Sequence, residues 1–132
     1  MVTLGLGLYA SSLSIEVDNL RDSKGEVVFS VYNKDGSIPD QKLQNFYKQK
    51  KAKIIENHSE VVFSNLPNGE YAVNILHDEN KNGEIDKGFL LPKEGIGFSN
   101  FESIGLMNKP NFKKAKFELN GDKTLKVKVI YF

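Results

Sequence analysis

The chain contains no cysteine. That excludes disulfide bonds, thiol catalysis and cysteine-ligated zinc or iron–sulfur centres. Histidine is scarce as well, and His58 and His77 stand in unrelated contexts, so they do not spell a zinc site. No charge of one sign dominates: Lys and Arg number 18 against 17 Asp and Glu, for a net charge of +1. A chain so balanced lacks the global field of a nucleic-acid binder. The densest basic run, KQKKAK from Lys48 to Lys53, reads as a solvated strand edge or loop, where lysine also deters pairing with other chains. What remains is ordinary for a folded protein: 39% hydrophobic, 27% charged and 11% aromatic residues, a composition that argues against disorder. A length of 132 residues suits one domain with a core that needs no staple.

The first residues, MVTLGLGLYASS, have the apolar centre and small-residue end of a signal peptide without its basic start. The stretch is too short to cross a bilayer as a helix. We therefore expect residues 1–12 to be an export remnant and residues 13–132 to form the folded domain, in a periplasmic or extracellular setting.

Apolar residues then recur with period two, the signature of strands. Leu13, Ile15 and Val17 share a face, as do Val27, Phe29 and Val31. Weaker runs cover Ala52–Glu56 and Val61–Ser64. Tyr71, Val73 and Ile75 follow, then Ala115, Phe117 and Leu119, then Leu125, Val127, Val129 and Tyr131. Asp35-Gly36, Asn68-Gly69 and Asn120-Gly121 separate them with residues that tolerate positive φ. These patterns predict an all-β, seven-stranded antiparallel sandwich of Greek-key type. The segment SIPDQKLQNFYKQK spaces Leu43, Phe46 and Tyr47 as a short helix would, with Asp40 as its cap. A long loop is expected from Asp78 to Asn111, after the fifth strand, and connections of that length are often functional. Tyr71 should enter the core with its hydroxyl reaching back to the chain.

The chemistry concentrates at HDENKNGEID, residues 77–86. With Asp78 at position one, Asn80 and Asn82 fall at three and five and Gly83 at the sharp turn. Glu84 is placed where a backbone carbonyl binds, Ile85 as an apolar anchor and Asp86 at nine. Position twelve, a bidentate glutamate in an EF-hand, is Phe89, and strands rather than helices flank the loop. The loop is thus a calcium-type loop on a β scaffold or a metal-free polar hairpin. A further ligand would come from Glu79, Glu94, Glu102 or Asp40. Two carboxylates and two amides predict weak binding, on the order of 10⁻⁴–10⁻³ M.

Ser99 in GIGFSNF lies outside the strand–turn–helix context of a nucleophile elbow and has no identifiable base, so no catalytic residue is assigned and the chain is read as non-catalytic. The apolar residues of the long connection should tuck it against the sandwich. The alternative is a small-ligand or protein-binding groove formed by Phe98, Asn100 and Phe101.

Taken together, NLPNGEYAVNILHDENKNGEID, PKEGIGFSN and FKKAKFELNGDKTLKVKV resemble the uncharacterised domain family numbered 2141 over about Leu13 to Val129. The resemblance implies a bacterial, exported protein without established activity. LPNGEYAV is also similar to prealbumin-like sandwich modules, such as Cna-B-type repeats and carboxypeptidase regulatory domains. In some related surface modules Asp/Asn-rich loops hold calcium, which here implies Asp78, Asn80, Asn82, Glu84 and Asp86. The expected protein is thus a non-catalytic exported module with one calcium ion ordering its long loop. It has no transmembrane segment or nucleic-acid partner, and its protein or small-molecule partner is not specified by these residues.

Overall fold

A computed structural model describes residues 9–83 and 94–132. The described residues are all-β, with eight strands in two sheets. They are β1 (Ala10–Val17), β2 (Glu26–Tyr32), β3 (Lys48–Ala52), β4 (Ser59–Pro67), β5 (Gly69–Asp78), β6 (Gly95–Phe98), β7 (Phe117–Leu119) and β8 (Lys123–Lys126), with one short helix, α1 (Phe112–Ala115), before β7. The smaller sheet runs β4-β1-β8, and the larger runs β3-β2-β5-β6 with β7 beside the start of β5. Pairing is antiparallel except between β1 and β8, which run parallel from Leu13↔Lys123 to Glu16↔Lys126.

Period two explains the first core. Leu13, Ile15 and Val17 of β1 face Val27, Phe29 and Val31 of β2 and Tyr71, Val73 and Ile75 of β5, with Phe63, Leu66 and Leu119 filling between. Their burial is the main favourable contribution to folding, at roughly 1.5–3 kcal/mol per large side chain. The Tyr71 hydroxyl donates to the Pro67 carbonyl, closing the corner of the β4–β5 turn.

A second core lies on the other face of the larger sheet. Val28, Tyr32, Ala72, Leu76, Ile96 and Phe98 are covered there by Ile38, Leu43, Phe101, Phe112 and Ala115 from the connections. With both faces covered, β5 is buried continuously from Tyr71 to Asp78.

Several expectations change. The described residues form eight strands rather than seven, because Gly95–Phe98 forms β6 inside the stretch expected to be one long loop. GIGF is too short to show a period, with glycine rather than a polar residue between Ile96 and Phe98. Its glycines admit the C-terminal segment: a Cβ on Gly97 would lie 2.4 Å from the Lys128 carbonyl oxygen, and one on Gly95 would lie 2.4 Å from the Tyr131 ring. Ile96 and Ile130 then exchange backbone hydrogen bonds of 3.0 and 2.7 Å. Residues 37–47 form no helix. Leu43 sits at φ 50°, outside the right-handed helical region, and Asp40 caps a turn by accepting from the amides of Gln44 and Asn45. The third strand is the lysine-rich Lys48–Ala52 rather than Ala52–Glu56. Finally, Ala10, Ser11 and Ser12, expected outside the domain, belong to β1: Ser11 pairs with Leu66, and its hydroxyl donates to Asn68 and accepts from the Gly121 amide.

Candidate functional site

The D-x-N-x-N-G loop leaves the end of β5, where Asp78 pairs with Glu26 at the start of β2. The turn before β2 presses against this point. Gly25, at φ 71°, leaves no room for a side chain, since a Cβ there would lie 2.0 Å from the Asp78 carbonyl oxygen. This close approach is the local reason for glycine at that position. The base of the loop is therefore fixed by both larger-sheet strands.

Asp78 is fully buried. Its Oδ1 accepts from the Asn82 amide at 3.2 Å and its Oδ2 from the Gly83 amide at 2.7 Å. Asn80 Oδ1 accepts from the same Asn82 amide at 3.2 Å. The side-chain oxygens at loop positions one and three thus converge on one nitrogen. Lys81 and Gly83 adopt φ 57° and 76°, and the Lys81 amide returns to the Asp78 carbonyl at 3.3 Å. Among the described residues each of the two carboxylate oxygens accepts one amide bond, and such an oxygen has two acceptor positions.

Glu94 reaches the same base from the far end of the connection. It is 4% exposed, and its Oε2 accepts from the Glu79 amide at 2.8 Å. Of the four further acids considered from sequence, this one is brought to the loop. Asp40 instead binds Tyr32 and its own turn. Glu84 and Asp86, together with Ile85 and Phe89, lie outside the described residues.

A second charged cluster adjoins the loop on the opposite face of β5. Asp22, His77 and Glu79 each bring a potential ligand atom to within 4.8 Å of the others. Their chemistry fits a protein network better than a metal centre. Nε2 of the fully buried His77 lies 2.9 Å from the Lys24 carbonyl, to which only a protonated nitrogen can donate. Its Nδ1 lies 2.7 Å from the Tyr131 hydroxyl. Glu79 is gripped by both arms of the Arg21 guanidinium, which also stacks 4.6 Å from the centre of the Tyr131 ring. A cation would have to displace Arg21. Burial pushes the Asp22 carboxyl up, but contacts with Glu79, the Lys24 amide and His77 outweigh it and hold the group below the ordinary aspartate value. Burial also pushes the Tyr131 hydroxyl up. This network ties the β1–β2 loop and the C-terminal segment to the loop base.

The other sequence candidates have structural roles. Phe98 and Phe101 are 3% and 4% exposed and meet edge to face with centroids 6.0 Å apart inside the second core, so they do not line an open groove. A cleft of about 620 Å³ is lined instead by Asp18, Asn19, Glu102 and residues 126–129. The Asn100 side-chain amide donates to the carbonyls of Lys114, Ala115 and Lys116, closing the end of α1. Ser99 is buried; its hydroxyl donates to the Ala115 carbonyl at 2.7 Å and accepts from the Val73 amide at 2.9 Å. Sequence reasoning gave His58 no role, yet it bridges Asp18 and Glu60 across the end of the smaller sheet. The acids at Asp18 and Glu60 were visible, but only the pairing of β1 with β4 brings them to one ring.

No helix among the described residues is long and apolar enough to cross a membrane. No curated protein and no solved structure matches the chain. The family described as an uncharacterized protein conserved in bacteria, DUF2141, matches residues 15–128, and the chain belongs to it.

Proposed function

We propose that the protein is a non-catalytic, exported β-sandwich module of prealbumin-like type in which the loop after β5 holds one calcium ion. The observation that carries this reading is that two buried carboxyl groups hold backbone amides at the base of one short D-x-N-x-N-G turn, Asp78 those of Asn82 and Gly83 and Glu94 that of Glu79. A divalent ion accepting oxygens from Asp78, Asn80, Asn82, Asp86 and the Glu84 carbonyl would neutralise the two carboxyl groups. Glu94 would stand in for the acid that Phe89 replaces in the sequence. Calcium suits the set, because it accepts six to eight oxygens in flexible geometry, whereas magnesium demands a stricter octahedron and retains water.

The role is structural linkage. An ion that binds the folded loop and not the unfolded chain stabilises the fold by mass action. It would fasten the connection that carries β6, and through Glu79 the Arg21–Tyr131 network. An affinity on the order of 10⁻⁴–10⁻³ M is that of extracellular modules and suits a periplasmic or extracellular setting. Calorimetric titration of the intact chain with calcium should show one saturable site in that range. Absence of heat and of any stability change at millimolar calcium would contradict the proposal.

A further inference from the structure

The connection between β6 and α1 makes a corner that neither core uses. Phe101 and Ile104 pack into the second core, and the chain then turns back on itself. The Gly105 amide donates to the Asn108 carbonyl at 3.3 Å, and the Asn108 amide donates to the Gly105 carbonyl at 3.1 Å. The Asn108 side chain braces the turn by donating to the Ser103 carbonyl at 2.8 Å. Beyond it, Asn111 caps α1 and Phe112 is buried. Both ends of the corner are thus anchored. Its two central residues are Leu106 and Met107, 87% and 97% exposed, the highest values of any large apolar side chain among the described residues. Turns ordinarily carry Gly, Asn, Asp or Ser at such positions. Neither side chain joins a core, so their apolar surface does not stabilise this fold.

The charge beside the corner is of one sign. Residues 103–117 contain Lys109, Lys113, Lys114 and Lys116 and no acid. Lys116 is paired with Glu70 at 3.0 Å, whereas Lys109, Lys113 and Lys114 are exposed. Lys113 approaches Asp35 only to 3.8 Å, with both side chains largely in solvent, and such a pair is worth little.

We propose that this corner is a membrane-docking tip: Leu106 and Met107 enter the acyl boundary of a bilayer while Lys109, Lys113 and Lys114 meet anionic lipid headgroups. Attachment to such a surface scales with buried apolar area plus attraction to anionic lipid, and this connection supplies both. The shape favours lipid over protein. A two-residue corner is convex and presents far less area than a stable protein interface buries, whereas a fluid acyl layer closes around it. A second copy of the chain offers no apolar socket in its cleft of about 620 Å³, whose walls carry Asp18, Glu102, Lys126 and Lys128. The tip is independent of the calcium loop.

Flotation of the intact chain with lipid vesicles tests this. The chain should float with vesicles of mixed phosphatidylcholine and phosphatidylglycerol, far less with phosphatidylcholine alone, and should be released as salt is raised. Leu106→Ser combined with Met107→Ser should weaken binding by more than about tenfold. Replacing Lys109, Lys113 and Lys114 together by glutamine should do the same. All five side chains are exposed, so these variants should melt as the native chain does. No flotation of the native chain with anionic vesicles, the result expected if a protein pocket receives the tip, would overturn the proposal. Undiminished flotation without Leu106 and Met107 would overturn it too, as would equal flotation with uncharged vesicles. Should a variant fail to fold, the native chain decides with vesicles spin-labelled in the acyl region. The Met107 methyl resonance should broaden on binding, and an unbroadened signal would overturn the proposal.

Discussion

On its inner face β5 carries Tyr71, Val73, Ile75 and His77; on its outer face it carries Ala72, Asn74, Leu76 and Asp78. All eight are buried. The inner residues meet the facing sheet, where strand pairing has already satisfied the backbone, so apolar side chains suffice until His77. The outer residues meet connecting segments, which bring backbone groups that no ladder satisfies. Polar side chains are therefore buried on that side, and each needs a designated partner. Ser99 serves Val73 and Ala115, Asp40 serves Tyr32 and its own turn, and Glu94 serves the Glu79 amide. One face is mainly apolar; the other holds the buried polar groups on which the proposed calcium loop draws.

Substitutions can separate the two. Ile75→Ala, on the inner face, should have the largest effect, lowering unfolding free energy by about 2–5 kcal/mol in urea titration through the cavity it leaves. Gly25→Ala should cost about 2–3 kcal/mol by the same measurement, because its methyl group must move the Asp78 backbone and its φ of 71° is unfavourable for alanine. Ser99→Ala should cost about 1–2 kcal/mol, since it leaves a buried amide and carbonyl without their partner. A loss above that of Ile75→Ala would reverse the ranking of the two faces.

The smallest effect lies away from both faces. Glu60 and then Asp18 raise the His58 value above 6.5. The contribution of the charged imidazole is therefore complete below the ordinary histidine value and is lost as pH rises through the raised one. The melting-temperature difference between the native chain and His58→Asn should shrink from about pH 5 to about pH 9. A difference independent of pH would remove the ion pair from the account.

The same contrast explains what could be read from sequence. Strands with one face on the first core showed clean period two, and β1, β2, β5 and β7 stand where the pattern placed them to within a few residues. β6 escaped because it is only four residues long, with glycine on either side of Ile96, too short a run to display a period. β3 escaped because KQKKA owes its place to hydrogen bonds with β2 rather than to side-chain pattern. Leu43, Phe46 and Tyr47 have helical spacing, but Leu43 turns the chain at φ 50° and is buried while Tyr47 is exposed. At the site, Asp78, Asn80 and Asn82 were legible because the loop is local in sequence. Glu94 could be named only as one acid among four, since nothing but the return of the chain along β5 selects it. The role of His58 was invisible for the same reason: its neighbours Asp18 and Glu60 are brought together by strand register.

The most direct test of the calcium loop is the melting temperature of the native chain and of Glu94→Gln, each with and without about 10 mM calcium. Glutamine can still accept from the Glu79 amide while removing the charge, so folding should survive the change. For the native chain we expect a rise of roughly 5–10 °C that chelator reverses, given a dissociation constant on the order of 10⁻⁴–10⁻³ M. In Glu94→Gln most of that rise should be lost. A native chain that melts at the same temperature with and without calcium would contradict the metal site itself. An equal rise in both chains would contradict the place given to Glu94.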